Sequence, residues 1–569
     1  MEGASTTLVL PLQDKFRQYR HKGDPCDVRL DENGLTVCHG RNTAKKRVLK
    51  ASELVGCLCM KAGPQEPRTH LAFFTVFAYP MDDRGKKRTR VSLSFEVDKE
   101  DTFEKNLEIA NGWRTAVHQT IRNCGIANPQ IDKSKRLLLL INPNSGHGKA
   151  HQIYKKQVAS VLGEAEVAHE VIITERPNHA LEIVQSLDLT KYSGIVILSG
   201  DGLLFEVYNG LLRRSDSEQA IRFPVGIIPG GSGNGLARSL AHWLNEPYMS
   251  NPVLVSTLNI VYGHLSPMDL AIIHTAEGKK IVSFLSIGIG LISDIDIESE
   301  RLRRIGEARF VVWSIARLAN LRKYQAKVSF KRIQGKPCNT VQVRPHLQHS
   351  QTVVEEPEVA SEALPDCLRR SQSVLPVREQ DSSASFDLSP SLTKVEYEVT
   401  QSSYVVEDFG REIQHTELNN QSECCKRENN REKDNRRLSE SRSAFLSPDF
   451  NEPVPDDWET IEDNFILVHA AYHSHIASDI FFAPEATPND GCMWMIMIRG
   501  KTPKSTVAKL LLGIDGSHVN VPGVEIIAVE ALRIVPSSTT GYLNIDGEML
   551  PWGPVQAQII PGRGQVMTR

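Results

Sequence analysis

The chain has 569 residues, room for roughly three to four ordinary domains, and its 40% hydrophobic and 24% charged residues exclude a fibrous or wholly disordered protein. Its 66 basic and 69 acidic residues leave a net charge of -3, which excludes a globally basic nucleic-acid binder; any electrostatic partner must meet a local patch. Ten cysteines without paired CxxC spacing argue against structural zinc and for free thiols in a reducing cytoplasmic setting.

No targeting segment is expected. The first residues lack a basic n-region, position 2 is Glu where myristoylation needs Gly, and the ending VMTR is no prenylation box. The apolar stretches at 137–141 and 281–292 are too short to span a bilayer, so membrane contact is expected to be peripheral.

In chain order, residues 1–130 carry strand-like runs at 35–39, 71–79 and 90–97, then a helix over 103–121. Apolar residues at 107, 109, 110, 113, 116, 117 and 121 mark one helical face. A basic turn, Arg84-Gly-Lys-Lys-Arg-Thr-Arg90, lies between two of the strands. It suits anionic headgroups or is a solvated turn.

From 131 to 266 the pattern alternates. Apolar runs at 137–141, 171–173, 195–198 and 225–228 are each followed by a turn and a helical stretch. Continuous apolar strands between helices predict a parallel sheet covered on both faces, with ligands at its carboxyl edge. Three glycine-rich turns fall at that edge. Asn142-Pro-Asn-Ser-Gly-His-Gly-Lys149 is not a Walker A loop, yet its glycines let backbone N–H groups approach an anion. Ser199-Gly-Asp-Gly202 puts a carboxylate between two glycines at a strand end; Asp201 is either an active carboxylate or a helix cap. Pro229-Gly-Gly-Ser-Gly-Asn-Gly235 has the density of an anion-binding nest.

Beyond 267, strand-like segments at 268–274, 281–287 and 324–330 resume at 464–471 and continue to 558, predicting a β-rich domain from 267–334 and 459–569. The intervening 335–458, rich in Ser, Glu, Gln and Arg, is predicted to be a disordered insertion. Residues 307–322 form an apolar helix with basic edges. That pattern fits a calmodulin target, a membrane-surface helix or an ordinary packed helix.

Taken in order, NPNSGHGKA, TERPNHA, SGDGLLFEVYNGL, PGGSGNGLA, LSPMDL, DIDIESERLRRIGEARF and DGE resemble the diacylglycerol kinase catalytic superfamily, most closely the sphingosine kinases, over 135–330 and 460–560. The resemblance implies a Rossmann-like α/β nucleotide domain plus a β-sandwich lipid domain, and the N-terminal region resembles a pleckstrin-homology-like α+β domain. The implied activity is ATP- and Mg²⁺-dependent phosphorylation of the primary hydroxyl of a sphingoid base, with ceramide or diacylglycerol kinase as the alternative. A silent lipid-binding adaptor and a soluble NAD kinase fit less of the pattern.

Carried over by motif, Asp201 is the implied catalytic base. Asn142, Pro143, Asn144, Thr174, Glu206, Gly231, Ser232 and Gly233 are implied along the nucleotide. Arg303 and Arg309 are implied at phosphate, and Asp546, Gly547 and Glu548 near ATP and its metal, whose ligands are not assigned. Ser199, Gly200, Asp201 and Gly202 border the lipid alcohol. Gly230 stands where relatives often have Ala, and Asn144-Ser145 where they often have Arg-Gly. Asp296, and second Asp294, are candidates to pair with a sphingoid ammonium; the plainer expectation is that both pair with Arg303 or Arg304. Calmodulin, a peripheral membrane surface and a homodimer remain open as partners.

Overall fold

A computed structural model describes residues 10–19, 25–39, 46–61, 68–124, 135–231, 233–305, 308–336, 448, 450 and 452–569, with the side chains at 146–147 and 303–305 excepted. Nearly all of the predicted insertion, together with Ser232 and the Arg303 side chain, therefore lies outside the described residues.

The N-terminal region is a seven-stranded antiparallel sheet. Its spatial order is Lys46–Lys50, Gly34–Cys38, Cys26–Asp31, Leu12–Gln18, Val91–Val97, Ala72–Ala78 and Leu54–Lys61. Alternation sets its faces: Val91, Leu93, Phe95 and Val97 are buried while Ser92 is exposed. The helix Phe103–Asn123 lays Ala110, Trp113, Ala116, Val117 and Ile121 on that core. Trp113 stacks on Phe74 at 5.4 Å and meets Phe16 edge-on at 5.3 Å. The strands Leu12–Gln18, Cys26–Asp31 and Lys46–Lys50 were not expected from the sequence, because charged residues interleaved with the apolar ones dilute the signal; Leu54–Lys61, whose one charged residue is Lys61, was not expected either.

The basic turn is used partly inward. Arg88 forks onto Glu246 at 2.6 and 2.7 Å and donates to Tyr79 O at 2.8 Å, with both charged side chains buried. Arg90 and the Tyr79 hydroxyl both meet Glu164, each at 2.7 Å. The Tyr262 hydroxyl donates to the Ser52 and Leu54 carbonyls at 3.1 Å. These bonds join the N-terminal sheet to the next region; Arg84, Lys86 and Lys87 stay exposed.

The middle region holds four parallel neighbours in the order His169–Ile173, Arg136–Ile141, Tyr192–Ser199, Val225–Pro229. Helices between them bury both faces, which is why the strands carry unbroken runs such as Leu137 to Ile141. The sheet does not stop at a domain edge. The last strand, Val555–Thr568, runs antiparallel to His264–Thr275 from Thr275↔Val555 to His264↔Thr568, and meets Val225 in parallel at Val566. One 14-strand sheet among the described residues thus continues from the parallel layer into the C-terminal strands. There Phe330, Tyr472, Met493, Met495 and Met497 fill the core.

Two expectations are corrected. The run at 281–287 is not one strand but two, Lys280–Ser283 and Ser286–Gly290, because the Asp546 carboxylate accepts the backbone N–H groups of Phe284, Leu285 and Ser286 between them. The region after 464 is not strands throughout, since the helix Lys504–Leu512 interrupts it.

Candidate functional site

The three glycine turns follow the adjacent strands Arg136–Ile141, Tyr192–Ser199 and Val225–Pro229 and meet at one edge. Gly230 N donates to Ser199 O at 2.8 Å, and Asp201 N to Gly233 O at 3.2 Å, lacing the second turn to the third. Asn234 closes the third turn on itself, accepting from Gly231 N at 3.3 Å and donating to Gly231 O at 2.7 Å. Ser145, within the first turn at the start of the short helix Ser145–Gly148, places Oγ 3.4 Å from Ser199 Oγ. A Cβ at Gly231 would sit 2.6 Å from Gly200 Cα and 2.7 Å from Gly200 N, so only glycine lets these backbones approach so closely. Asn144 N donates to Asn142 Oδ1 at 3.0 Å, fixing the Asn142–Asn144 bend. Thr174 is buried beside it, its N–H bonded to Ile141 O at 2.9 Å.

Asp201 is the first residue of the helix Asp201–Leu212, one strand end away from the third turn. It is 6% exposed. Its Oδ2 accepts from Gly235 N at 2.7 Å, capping the helix Gly235–Trp243 rather than its own. Its Oδ1 is buried with no partner among the described residues. Burial pushes the carboxyl up to about 7 against the pull of the Gly235 and Leu236 N–H groups, and Asp546 and Asp296 add like charge. The carboxylate thus faces the glycine bends; a Cβ at Gly233 would lie 3.6 Å from Oδ2. Glu206, on the same helix, accepts from Ala180 N at 3.1 Å and so ties it to the helix His179–Ser186.

The C-terminal turn closes the other side. A Cβ at Gly202 would be 2.7 Å from Glu548 Oε1, which places Glu548 against the second turn. Asp546, buried and left-handed at φ 54°, accepts from Ser283 Oγ at 2.7 Å as well as from the three backbone N–H groups above. Burial still pushes it up to about 6. Its carboxylate anchors the turn. Gly547, at φ 86°, donates its N–H to Asn544 Oδ1 at 2.9 Å.

The two acidic residues of the helix Leu291–Ser299 diverge. Asp294 receives the Tyr324 hydroxyl at 2.7 and 2.8 Å and lies 3.9 Å from Arg322; the expected pairing with Arg303 or Arg304 falls on side chains outside the described residues. Asp296 faces the C-terminal turn and accepts from Asn544 Nδ2 at 2.7 Å. Burial pushes each of these carboxyls up to about 6. Arg309 is buried, ion-paired with Glu300, and its guanidinium lies 4.4 Å from the Phe310 ring centre. Asn544, Asn234 and Ser145 went unassigned in the sequence: Asn544 lies just outside the DGE triplet, and a lone Asn or Ser in a turn looks like ordinary turn chemistry.

The site offers backbone cradles for an anion and a buried carboxylate with a free oxygen. Among the described residues no group of three or more His, Cys, Asp and Glu side chains is spaced to hold a metal ion. This donor set fits a magnesium carried in on nucleotide phosphates, which needs only one or two protein carboxylates.

Residues 136–273 match the family model of the diacylglycerol kinase catalytic domain, and residues 454–568 that of the YegS C-terminal NAD kinase beta sandwich-like domain. The chain is 31% identical to sphingosine kinase 2 of Homo sapiens, over 99% of its own length and 92% of the relative's. It is 32% identical to sphingosine kinase 1 of Homo sapiens over 75% and 89% of the two chains. It is 36% identical to sphingosine kinase 2 of Arabidopsis thaliana over 47% and 54%. A solved diacylglycerol kinase of Bacillus anthracis aligns with 14% identity and a TM-score of 0.40, over 76% of this chain and 97% of that one.

Proposed function

The chain belongs to the sphingosine kinases, with a diacylglycerol kinase catalytic domain, and from that premise we infer that it transfers the γ-phosphate of ATP to the primary hydroxyl of a sphingoid base. The observation that carries this reading is Asp201 Oδ1, buried at the junction of the glycine turns and unpartnered among the described residues.

Phosphoryl transfer needs alignment and a positive field more than covalent help. Glu548, against the second turn, would hold a magnesium bound to the ATP phosphates, and that ion would supply neutralising charge there. Backbone N–H groups of the turns around Asn142–Asn144 and Gly231–Gly233 line the phosphate side. Asp201, with a pKa near the working pH, takes the proton from the primary hydroxyl as its oxygen attacks. Arg309 exchanges Glu300 for phosphate when nucleotide binds. Glu548 and Gly547 border the same space. Asp296 pairs with the ammonium of the base, which ceramide and diacylglycerol lack.

The N-terminal antiparallel sheet, closed by a helix carrying Trp113, supports a pleckstrin-homology-like reading. For peripheral contact with a lipid surface we propose the helix Ala308–Ala319, whose Val311, Val312 and Ile315 are 63%, 47% and 66% exposed. The same face suits calmodulin. No helix among the described residues is long and apolar enough to cross a membrane.

The test is γ-phosphate transfer from radiolabelled ATP to sphingosine, ceramide and diacylglycerol by the purified full chain. Sphingosine is expected to be used at least a hundredfold more efficiently; equal use of ceramide rejects the amine-selective reading.

A further inference from the structure

The side chain of Asn544 sits between the two halves of the site. It is 3% exposed, on the strand Leu543–Ile545, with its backbone paired to Gly288 on one side and Met549 on the other. Its amide donates to Asp296 Oδ2 at 2.7 Å and accepts from Gly547 N at 2.9 Å. A carboxylate on one side and an N–H on the other fix which end of the amide faces which. Asp296 follows, on the next helix, the very strand that pairs with Asn544. Gly547 belongs to the turn that abuts Gly202 through Glu548. Donation to Asp296 favours its charged form, the form that pairs with an ammonium.

We propose that Asn544 is a positioning residue that locks the Asp296 carboxylate to the nucleotide-side turn 546–548, so that one amide sets the spacing between the amine and phosphate ends of the reaction. The proposal rests on the reading of Asp296 as the ammonium partner. Asn544 touches neither substrate; it acts through Asp296 on one side and Gly547 on the other. A residue that only filled space would affect both substrates alike, whereas this one has two separable arms.

Asn544→Asp separates the arms. It keeps an oxygen to accept from Gly547 N, but in its ionised form, at pH 8, it cannot donate to Asp296 and sets a like charge against it. In the full chain, KM for sphingosine and the Kd of 1-deoxysphinganine, which keeps the amine and lacks the primary hydroxyl, are expected to rise at least tenfold. KM for ATP is expected to stay within twofold. Asn544→Ala, which cuts both arms, raises KM for sphingosine and for ATP. Unchanged sphingosine KM in Asn544→Asp, or equal rises for both substrates, overturns the proposal. If Asn544→Asp does not fold, Asn544→Ala combined with Asp296→Asn decides: losses in sphingosine binding that simply add, showing no coupling between the two side chains, overturn it. Asp296→Asn separates this from the underlying reading. If it leaves sphingosine binding intact, the amine assignment itself fails. If it is selective for sphingosine while Asn544→Asp is silent, only the role of Asn544 fails.

Discussion

Asp201→Asn separates chemistry from architecture. The Asn side chain has the same shape, and its amide oxygen can keep the 2.7 Å bond from Gly235 N that caps the helix Gly235–Trp243. The amide nitrogen takes the place of the unpartnered Oδ1. What disappears is the proton acceptor, and removing a positioned general base costs about 10²- to 10⁴-fold in turnover. Stability moves the other way. The folded carboxyl lies at about 7 and its ordinary value is 3.8, a rise of about 3 units. At 1.36 kcal/mol per unit, keeping it ionised in the fold costs up to about 4 kcal/mol.

The sign follows from that rise. Because the folded value is raised, this group's stabilisation is fully present below pH 3.8 and is lost as pH climbs through about 7. Asn carries no such charge, so the variant gains on wild type as pH rises, most at pH 8, less at pH 6. Radiolabel transfer to sphingosine and thermal unfolding at pH 6 and 8 measure both effects. Turnover within tenfold of wild type refutes Asp201 as base. A variant that melts below wild type at pH 8 refutes the buried-charge argument.

Three further outcomes follow from the same geometry. Gly231→Ala drives a Cβ to within 2.6 Å of the Gly200 backbone, so the turns spread and fluorescent-nucleotide titration is expected to show at least tenfold weaker ATP binding. Arg88→Ala leaves buried Glu246 with Arg569 alone at 3.1 Å; a loss of about 3 kcal/mol is expected, read by urea unfolding as an earlier release of the N-terminal sheet. Val311→Glu with Ile315→Glu removes two exposed apolar side chains, each worth about 1 kcal/mol on partial burial in lipid. Co-sedimentation with anionic vesicles is expected to fall about tenfold or more, while the far-ultraviolet circular dichroism is unchanged.

The parallel layer was legible because it is local. Leu137 to Ile141 and Ile195 to Leu198 are unbroken apolar runs, and each is followed by the glycine turn that ends it. Asp201 was legible for the same reason, as a lone carboxylate between two glycines at a strand end. The cap it provides was expected for its own helix; it serves the helix after the third turn, through a contact between residues 34 apart. What escaped is what distant pairing decides. Val225 meets Val566 only because the last strand crosses into the parallel layer. Asp546 splits the 280–290 segment from 261 residues away. Motif match alone ranks Asp296 ahead of Asp294 in the sequence; two residues along a helix turn them toward Asn544 and Tyr324 respectively, partners the sequence did not name. Arg88 and Arg90 look like a solvated basic turn until Glu246 and Glu164 fold against them.

The most direct measurement of the central claim is the pH dependence of kcat/KM for sphingosine in the wild-type chain. A base whose pKa lies at about 7 predicts a plateau above that value and a tenfold fall per pH unit just below it, steepening once the Asp296 carboxyl also protonates at about 6. A profile flat down to pH 5 would mean that the carboxylate at 201 does not accept the hydroxyl proton.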